Sequence, residues 1–474
     1  MIEDLKPYAE YKDSDLAWLG EIPAHWSEMR AKYFFREVDK RSESGKEVLM
    51  SVSHKTGVTP RKQNVTMFLA ESTIGYKICR PGDIAINTMW AFMGALGIAR
   101  QEGIVSPSYG VYRSLRTGIL NSEYLDSLLR TDAYKTEYIR RSMGINSSRL
   151  RLYPDQFLQI PLLCPPPEEQ EAIARFLTWA TNRLDRAIRA KRRIIALLNE
   201  QKQAIIHRAV TRGLDPSVPL KDSGIQWLGE IPEHWETVRL KSLVSRVTSG
   251  SRGWSNFAAV SGVLFIRIGN LTRASLDLDF ESSVRLQLPD HAIAEAARTR
   301  VQPEDILLSI TAFIGSVAVV PPGIEEAYVS QHVACCRPRV GAANSRWVGY
   351  VLLSNVGRAH GQLSMYGGTK QGLSLDDVKN YLVLLPPHNE QDGLVEWIGQ
   401  STATLSTGIN NAKREITLLS EYRTRLIADV VTGKLDVRQA AAGLPEEIEP
   451  QDASEPGDEI EELGLDGDEE TELP

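Results

Sequence analysis

The chain has 474 residues, 42% of them hydrophobic and 24% charged, a balance that suits a globular protein with room for two or three domains. No stretch approaches the roughly 18 consecutive apolar residues of a membrane-crossing helix. The start, MIEDLKPYAE, has no basic segment leading into an apolar one, so a cytoplasmic protein with no membrane association is expected. The four cysteines, Cys79, Cys164, Cys335 and Cys336, lack CxxC spacing, which argues against a metal site or a disulfide framework.

The net charge of −7 is unevenly spread. Residues 444–474 hold fourteen Asp or Glu and no Lys or Arg; the 61 acidic residues less these fourteen leave 47 against 54 basic ones. A basic body therefore precedes an acidic tail, expected over 438–474, too poor in apolar residues to fold alone.

After a short leader, residues 1–11, Lys12–Trp26 reads KDSDLAWLGEIPAHW. Lys221–Trp235 reads KDSGIQWLGEIPEHW, identical at eleven of fifteen positions with an offset of 209. The chain is an internal duplication with a period near half its length, which means two large similar domains. In each copy tryptophans bracket a Gly and a Pro, turn residues that present the aromatics to an apolar groove. His25 and His234 recur without a nucleophile beside them, so a structural role is expected.

Residues 27–165 alternate short strand patterns (48–52, 83–87, 110–113) with turn signals, and 121–141 reads as one helix. PPPEEQ at Pro165–Gln170 marks a helix start, with acidic residues in the first turn. From Ile173 through Leu177, Ala180, Leu184, Ala187, Lys191, Ile194, Leu198 and Gln201 to Ile205, a 4-3 alternation predicts a coiled-coil seam. About 45 helical residues span roughly 65 Å.

The second half repeats the order. Gln302–Ile306 echoes Arg80–Ile84, and Thr311–Gly315 echoes Trp90–Gly94. Pro386–Gln391 repeats the helix start at an offset of 221, and a second long helix is predicted to run to about Thr432. The expected fold is mixed α/β (α+β): two similar globular domains separated by two long antiparallel helices forming a coiled coil, as a pseudo-twofold repeat. The expected boundaries are 1–165, 166–214, 215–385, 386–437 and the tail 438–474.

Enzyme signatures are missing. There is no GxxxxGK[ST] loop, HExxH, GxSxG or [DN]PP[YFW]. Asp83 and Asp305 recur singly and read as turn caps or strand-end partners. What remains is a binding surface. Gly144–Arg151 and Gly367–Gly372 hold corresponding places and mix glycine, hydroxyls, amides and bases, the chemistry that meets phosphates and base edges. The candidate DNA-binding residues are His54, Lys55, Thr56, Arg61, Lys62 and Gln63; Asn146, Ser147, Ser148, Arg149 and Arg151; Ser251, Arg252 and Trp254; Arg267, Asn270 and Arg273; and Thr369, Lys370 and Gln371. Arg183, Arg186, Arg189, Arg192 and Arg193 add a basic band on the first long helix.

With both WLGEIPxHW motifs, both PPxxEQ-like helix starts, the paired Arg80–Ile84 and Gln302–Ile306 segments and the long helices, the chain resembles specificity subunits of type I restriction–modification systems from residue 12 to about 437. The resemblance implies two target-recognition domains, each reading half of a split site in double-stranded DNA, with the helices as a ruler. It implies a non-catalytic chain that docks two modification (methyltransferase) subunits and restriction (translocase and nuclease) subunits. It implies no cofactor for this chain, because S-adenosylmethionine and ATP would be bound by those partners. A scaffold that binds only proteins, or a stand-alone DNA-modifying enzyme, would be the alternative.

Overall fold

A computed structural model describes residues 5–14, 16, 18–61, 72–116, 118–144, 150–281, 283–289, 292, 296–364 and 372–445. The chain divides into two compact units: residues 1–190 with 416–452, and residues 191–415 with 453–474. Each long helix is thus shared, half to one unit and half to the other.

The first unit is built on a four-stranded antiparallel sheet in the order Phe35–Glu37, Gly110–Ser114, Ile84–Ile86, Leu96–Ile98. Its strands are short, yet Ile84, Ala85 and Ile86 are all fully buried, as expected of a strand covered on both faces. Ser27–Arg30 pairs with Pro161–Cys164 and closes the domain where the long helix begins. The helical stretch expected over 121–141 is two helices, Ser122–Leu129 and Asp132–Arg141. The break comes at Arg130–Thr131, where Thr131 turns extended and caps the second helix, because a threonine hydroxyl offers the backbone a non-helical partner.

The second unit repeats the frame. Its sheet runs Val244–Ser249, Val333–Pro338, Ile306–Ser309, Val317–Val319, with the same strand order and sense. Glu236–Arg239 pairs with Leu382–Leu385, and helices Ser345–Leu353 and Asn355–Ser364 follow the sheet. The divergence lies elsewhere. The first unit inserts a hairpin, Met50–Ser53 with Gly57–Pro60. The second builds a further four-stranded sheet from 258–259, 284–286, 263–266 and 327–329, whose last pair is parallel.

The long helices run Pro167–Arg212 and His388–Val431. In the first unit Ile173, Phe176, Leu177, Ala180 and Leu184 share a core with Leu426, Val430 and Val431, and Asp185 meets Arg423 at 3.2 Å. In the second unit Lys191 meets Glu415 at 2.5 Å, and Lys202 Nζ donates to Ser406 Oγ at 2.9 Å. Partner numbers fall as residue numbers rise, so the segments pair antiparallel in each unit.

The predicted seam holds at Ile173, Leu177, Ala180 and Leu184 and at Leu394, Ile398, Ile409, Ala412, Leu426 and Val430, and opens at positions between and beyond them. Ile194 is 43% exposed and Tyr422 41%, and Gln201 faces solvent, whereas Ile206, Ala209 and Val210 are buried. A straight 3.6-residue helix drifts against a 3.5-residue repeat, and the outer turns follow the domain cores instead. The tail boundary also needs correcting. Arg438–Ala442 is helical, and Val437, Ala441 and Leu444 are buried in the first core. Their i, i+4, i+7 spacing gives one apolar face, which the acidic residues after it obscure. The rest of the expected tail, 446–474, lies outside the described residues.

Candidate nucleic-acid interface

Two fixed joints set the geometry. In the first, Glu169 on the opening turn of the long helix accepts from Trp26 Nε1 at 3.0 Å and pairs with His25 Nε2 at 2.8 Å. Its neighbour Gln170 accepts from the backbone N–H of Asn121 at 2.8 Å and donates to the carbonyl of Pro165 at 2.8 Å. Asn121 in turn caps the helix that follows the sheet. The second joint repeats this with Glu390, Trp235 (3.1 Å), His234 (2.8 Å), Gln391 and Asn344 (2.8 Å). The repeated histidines therefore orient a carboxylate at a helix start, where negative charge is favoured.

Behind each sheet a second pair recurs. Asp83 takes a bidentate contact from Arg113 (2.8 and 2.6 Å) and caps the backbone N–H of Arg80 at 2.8 Å. Asp305 does the same for Arg337 (3.0 and 2.7 Å) and Gln302 (2.8 Å). Each carboxylate supports its sheet, and its hydrogen bonds hold the pKa of the arginine beside it above the ordinary value. Both aspartates thus serve as turn caps and strand-end partners.

From this frame the candidate loops emerge at matching places. In the first unit Met143 and Arg151 exchange backbone bonds at 3.0 and 2.9 Å, and Leu152 N–H donates to Thr88 O at 3.0 Å. In the second, Gly372 bridges Thr311 and Leu373 N–H donates to Ile310 O at 2.9 Å. The roots of the two loops are therefore seated on equivalent turns. Asn146, Ser147, Ser148 and Arg149, and Thr369, Lys370 and Gln371, lie outside the described residues, as do Lys62 and Gln63.

Around the first root, Met89, Trp90 and Met93 are 37%, 49% and 39% exposed on the turn after the central strand, and Arg151 is exposed. Lys55 and Thr56 are exposed at the tip of the inserted hairpin, with His54 half-buried beside them. Arg130 holds that tip through the carbonyls of His54, at 3.0 Å, and Lys55. Arg61 leaves the hairpin with its N–H on Leu49 O at 2.8 Å.

In the second unit the candidates converge. Gly250 N–H donates to Ser330 O at 3.1 Å, and Ser330 N–H to Ile266 O at 2.8 Å. A Cβ on Gly250 would lie 1.9 Å from Val329 O, so only glycine permits this approach. Ser251, exposed Arg252 and half-buried Arg267 therefore lie near Gln331 and His332. His332 is held between Gln331 Nε2 and Thr311 Oγ1, both at 2.9 Å, on the turn that Gly372 bridges. Exposed Arg273 reaches the same turn, donating to Ile314 O at 3.1 Å.

Two candidates are corrected. Trp254 is 3% exposed and packs against Phe265 and Tyr328. Asn270 is 2% exposed and spends its side chain on Arg267 N–H (2.9 Å) and Asp279 O (2.7 Å). Both shape loops from inside, because a tryptophan beside Gly253 and an asparagine in a tight turn find partners within the domain. Sequence reasoning missed Trp90, Gln331, His332 and Arg358. Searching for polar glycine-containing loops passed over the short turns that root them and a helix residue. The echo of Trp90–Gly94 in Thr311–Gly315 marks the turns themselves but not Gln331, His332 or Arg358, which lie outside them.

Among the described residues no group of three or more His, Cys, Asp or Glu could hold a metal ion, and no helix is long and apolar enough to cross a membrane.

The geometry defines a duplicated chain, each half a mixed α/β domain locked to the start of a long helix and presenting unlike loops from equivalent turns. The chain is similar to specificity subunits of type I restriction enzymes. It is 24% identical over 285 residues to the MjaVIII specificity subunit of Methanocaldococcus jannaschii, covering 59% of this chain and 63% of that one. It is 24% identical over 315 residues to the EcoBI specificity subunit of Escherichia coli, covering 62% and 65%. The matches thus span just under two thirds of these relatives. A solved chain from a type I restriction–modification assembly shares the fold, with a TM-score of 0.53 at 18% identity over 87% of this chain and 99% of that one. No family profile matches.

Proposed function

We propose that this chain is the DNA-reading, non-catalytic subunit of a type I restriction–modification complex, with each domain recognising one half of a split target. One observation carries the reading. The joints, core sheets and Asp–Arg pairs are equivalent in the two units, whereas the inserted elements and the loops at the equivalent turns differ. A duplicated frame with unlike reading ends suits two unlike half-sites. Loops supply base contacts, and exposed Lys and Arg neutralise phosphates, so affinity falls steeply with salt. The long helices, each shared by the two units, would set the spacing between half-sites.

Methyl transfer and cleavage then belong to docked modification and restriction subunits, which would bind S-adenosylmethionine and ATP. The methyltransferase would flip its target adenine from the stack. The test is domain exchange. Replacing residues 27–165 with the equivalent domain of a relative should change one half of the methylated sequence in cells carrying the whole system. A change in both halves would sink the two-reader scheme. A protein-only scaffold would show no salt-dependent DNA binding by the assembled complex.

A further inference from the structure

We propose that Arg273 and Arg358 form a clamp for a phosphodiester of duplex DNA in the second unit, a proposal that rests on the DNA-reading function above. The backbone carbonyl of Arg273 accepts from Arg358 Nη2 and from Gln203 Nε2 on the long helix, both at 3.0 Å. The Arg273 guanidinium lies 5.7 Å from the Phe313 ring centre and donates to Ile314 O. Two arginines are thereby fixed beside the turn that Gly372 bridges.

The pair carries an unbalanced charge. Arg358 is half-buried, its Nε is buried without a protein partner, and no carboxylate bonds either guanidinium among the described residues. Burial, then the charge of Arg273, pulls the Arg358 pKa below its ordinary value. A partly buried cation facing a like charge costs stability, and such a cost at a surface marks a place where a ligand supplies the missing charge.

The duplication provides an internal control. Lys135 occupies the equivalent position. It is the fourth residue of Asp132–Arg141, as Arg358 is of Asn355–Ser364. Each lies under the glycine of the matching turn: a Cβ on Gly94 would meet Lys135 Cε at 2.7 Å, and one on Gly315 would meet Arg358 Cγ at 3.4 Å. Lys135 is neutralised by Asp132 at 2.9 Å. In the second unit Asn355 stands where Asp132 would be. The first unit supplies its own counter-charge and the second does not. A planar guanidinium suits phosphate geometry better than an ammonium does.

The test uses the full chain assembled with its modification subunits and a DNA duplex bearing the target, titrated at several salt concentrations. Arg358→Met should weaken binding about tenfold and make the slope of log affinity against log salt shallower by about one, with both half-site preferences kept. Asn355→Asp, an exposed change, should shift binding the same way while thermal stability holds or rises. Unchanged affinity and slope in both variants would overturn the clamp and leave the DNA reading intact. So would a lowered melting temperature for Arg358→Met with wild-type binding by Asn355→Asp, which marks a structural residue. Wild-type complex without salt-dependent DNA binding would overturn both.

Discussion

The two joints are built from the same residues but sealed differently. Glu169 is 4% exposed in its side chain, whereas Glu390 is 32% exposed. The difference comes from the chain ends. Tyr8 donates a short hydrogen bond to Glu169 and stacks edge-on against Trp26, and the Arg438 guanidinium lies 5.2 Å from the Tyr8 ring centre, paired to Asp436 at 2.7 Å. Burial, with the Glu169 carboxylate beside it, drives the Tyr8 pKa far above its ordinary value. The second joint has no tyrosine at that place. One frame can thus be a buried network in one copy and a half-open one in the other.

The largest expected effect separates the copies. Glu169→Ala strands the Trp26 Nε1 and the Tyr8 hydroxyl in a buried site and removes the partner of the exposed His25 ring, and should cost the first unit about 2–4 kcal/mol. Glu390→Ala should cost about 1 kcal/mol, since water reaches that site. Denaturant unfolding of each variant measures both, and equal losses would mean the seal has no energetic consequence. A second pair should behave alike. Asp83→Asn and Asp305→Asn each leave a part-buried arginine without its carboxylate and should each cost about 2–3 kcal/mol. A threefold disparity between them would show that the sheet supports are not equivalent.

Truncation after Asp436 removes Arg438–Ala442 and the buried Ala441 and Leu444, and Arg175 loses its contact with Leu444 O at 2.8 Å. About 2 kcal/mol should be lost from the first unit alone. Native-state hydrogen exchange should show protection falling in residues 8–26 and staying level in 221–235. Equal loss in both would tie the segment to the whole chain.

What could be read from the residues follows from what repeats. WLGEIPxHW, the PPxxEQ-like starts and the aspartates of the Arg80–Ile84 and Gln302–Ile306 segments are local signals copied at a nearly fixed offset, so their shared role was legible before any contact was known. Tyr8 and Leu444 were not, because each is uncopied and acts through residues more than 150 positions away. Trp254 and Asn270 misled for the opposite reason. Their neighbours look like a polar loop, yet burial is decided by strands elsewhere in the chain. Arg358 sits mid-helix, where a basic residue reads as a solvated face until its partner's absence is compared with Lys135 and Asp132.

The smallest effects should differ in sign between the helix pairs. Asp185 and Arg423 meet at 3.2 Å in the first unit. At the equivalent place in the second, 221 positions along, Ser406 stands for Asp185, and Lys202 stands for Arg423. Arg423→Met removes a partly exposed ion pair and should cost at most about 1 kcal/mol. Lys202 is 7% exposed and hydrogen-bonds the Ser406 hydroxyl, and burial lowers its pKa. Its folded pKa lies below the unfolded one, so the unfolded chain holds more protons between the two values. Stability contributed through this group therefore rises with pH across that window and is lowest beneath it. Lys202→Met should leave stability unchanged or raise it by about 1 kcal/mol at neutral pH, and should flatten the pH dependence toward pH ~10. Melting temperatures of both variants from pH 7 upward measure the contrast. A loss in Lys202→Met as large as that in Arg423→Met would mean the hydroxyl satisfies the ammonium as well as a carboxylate does.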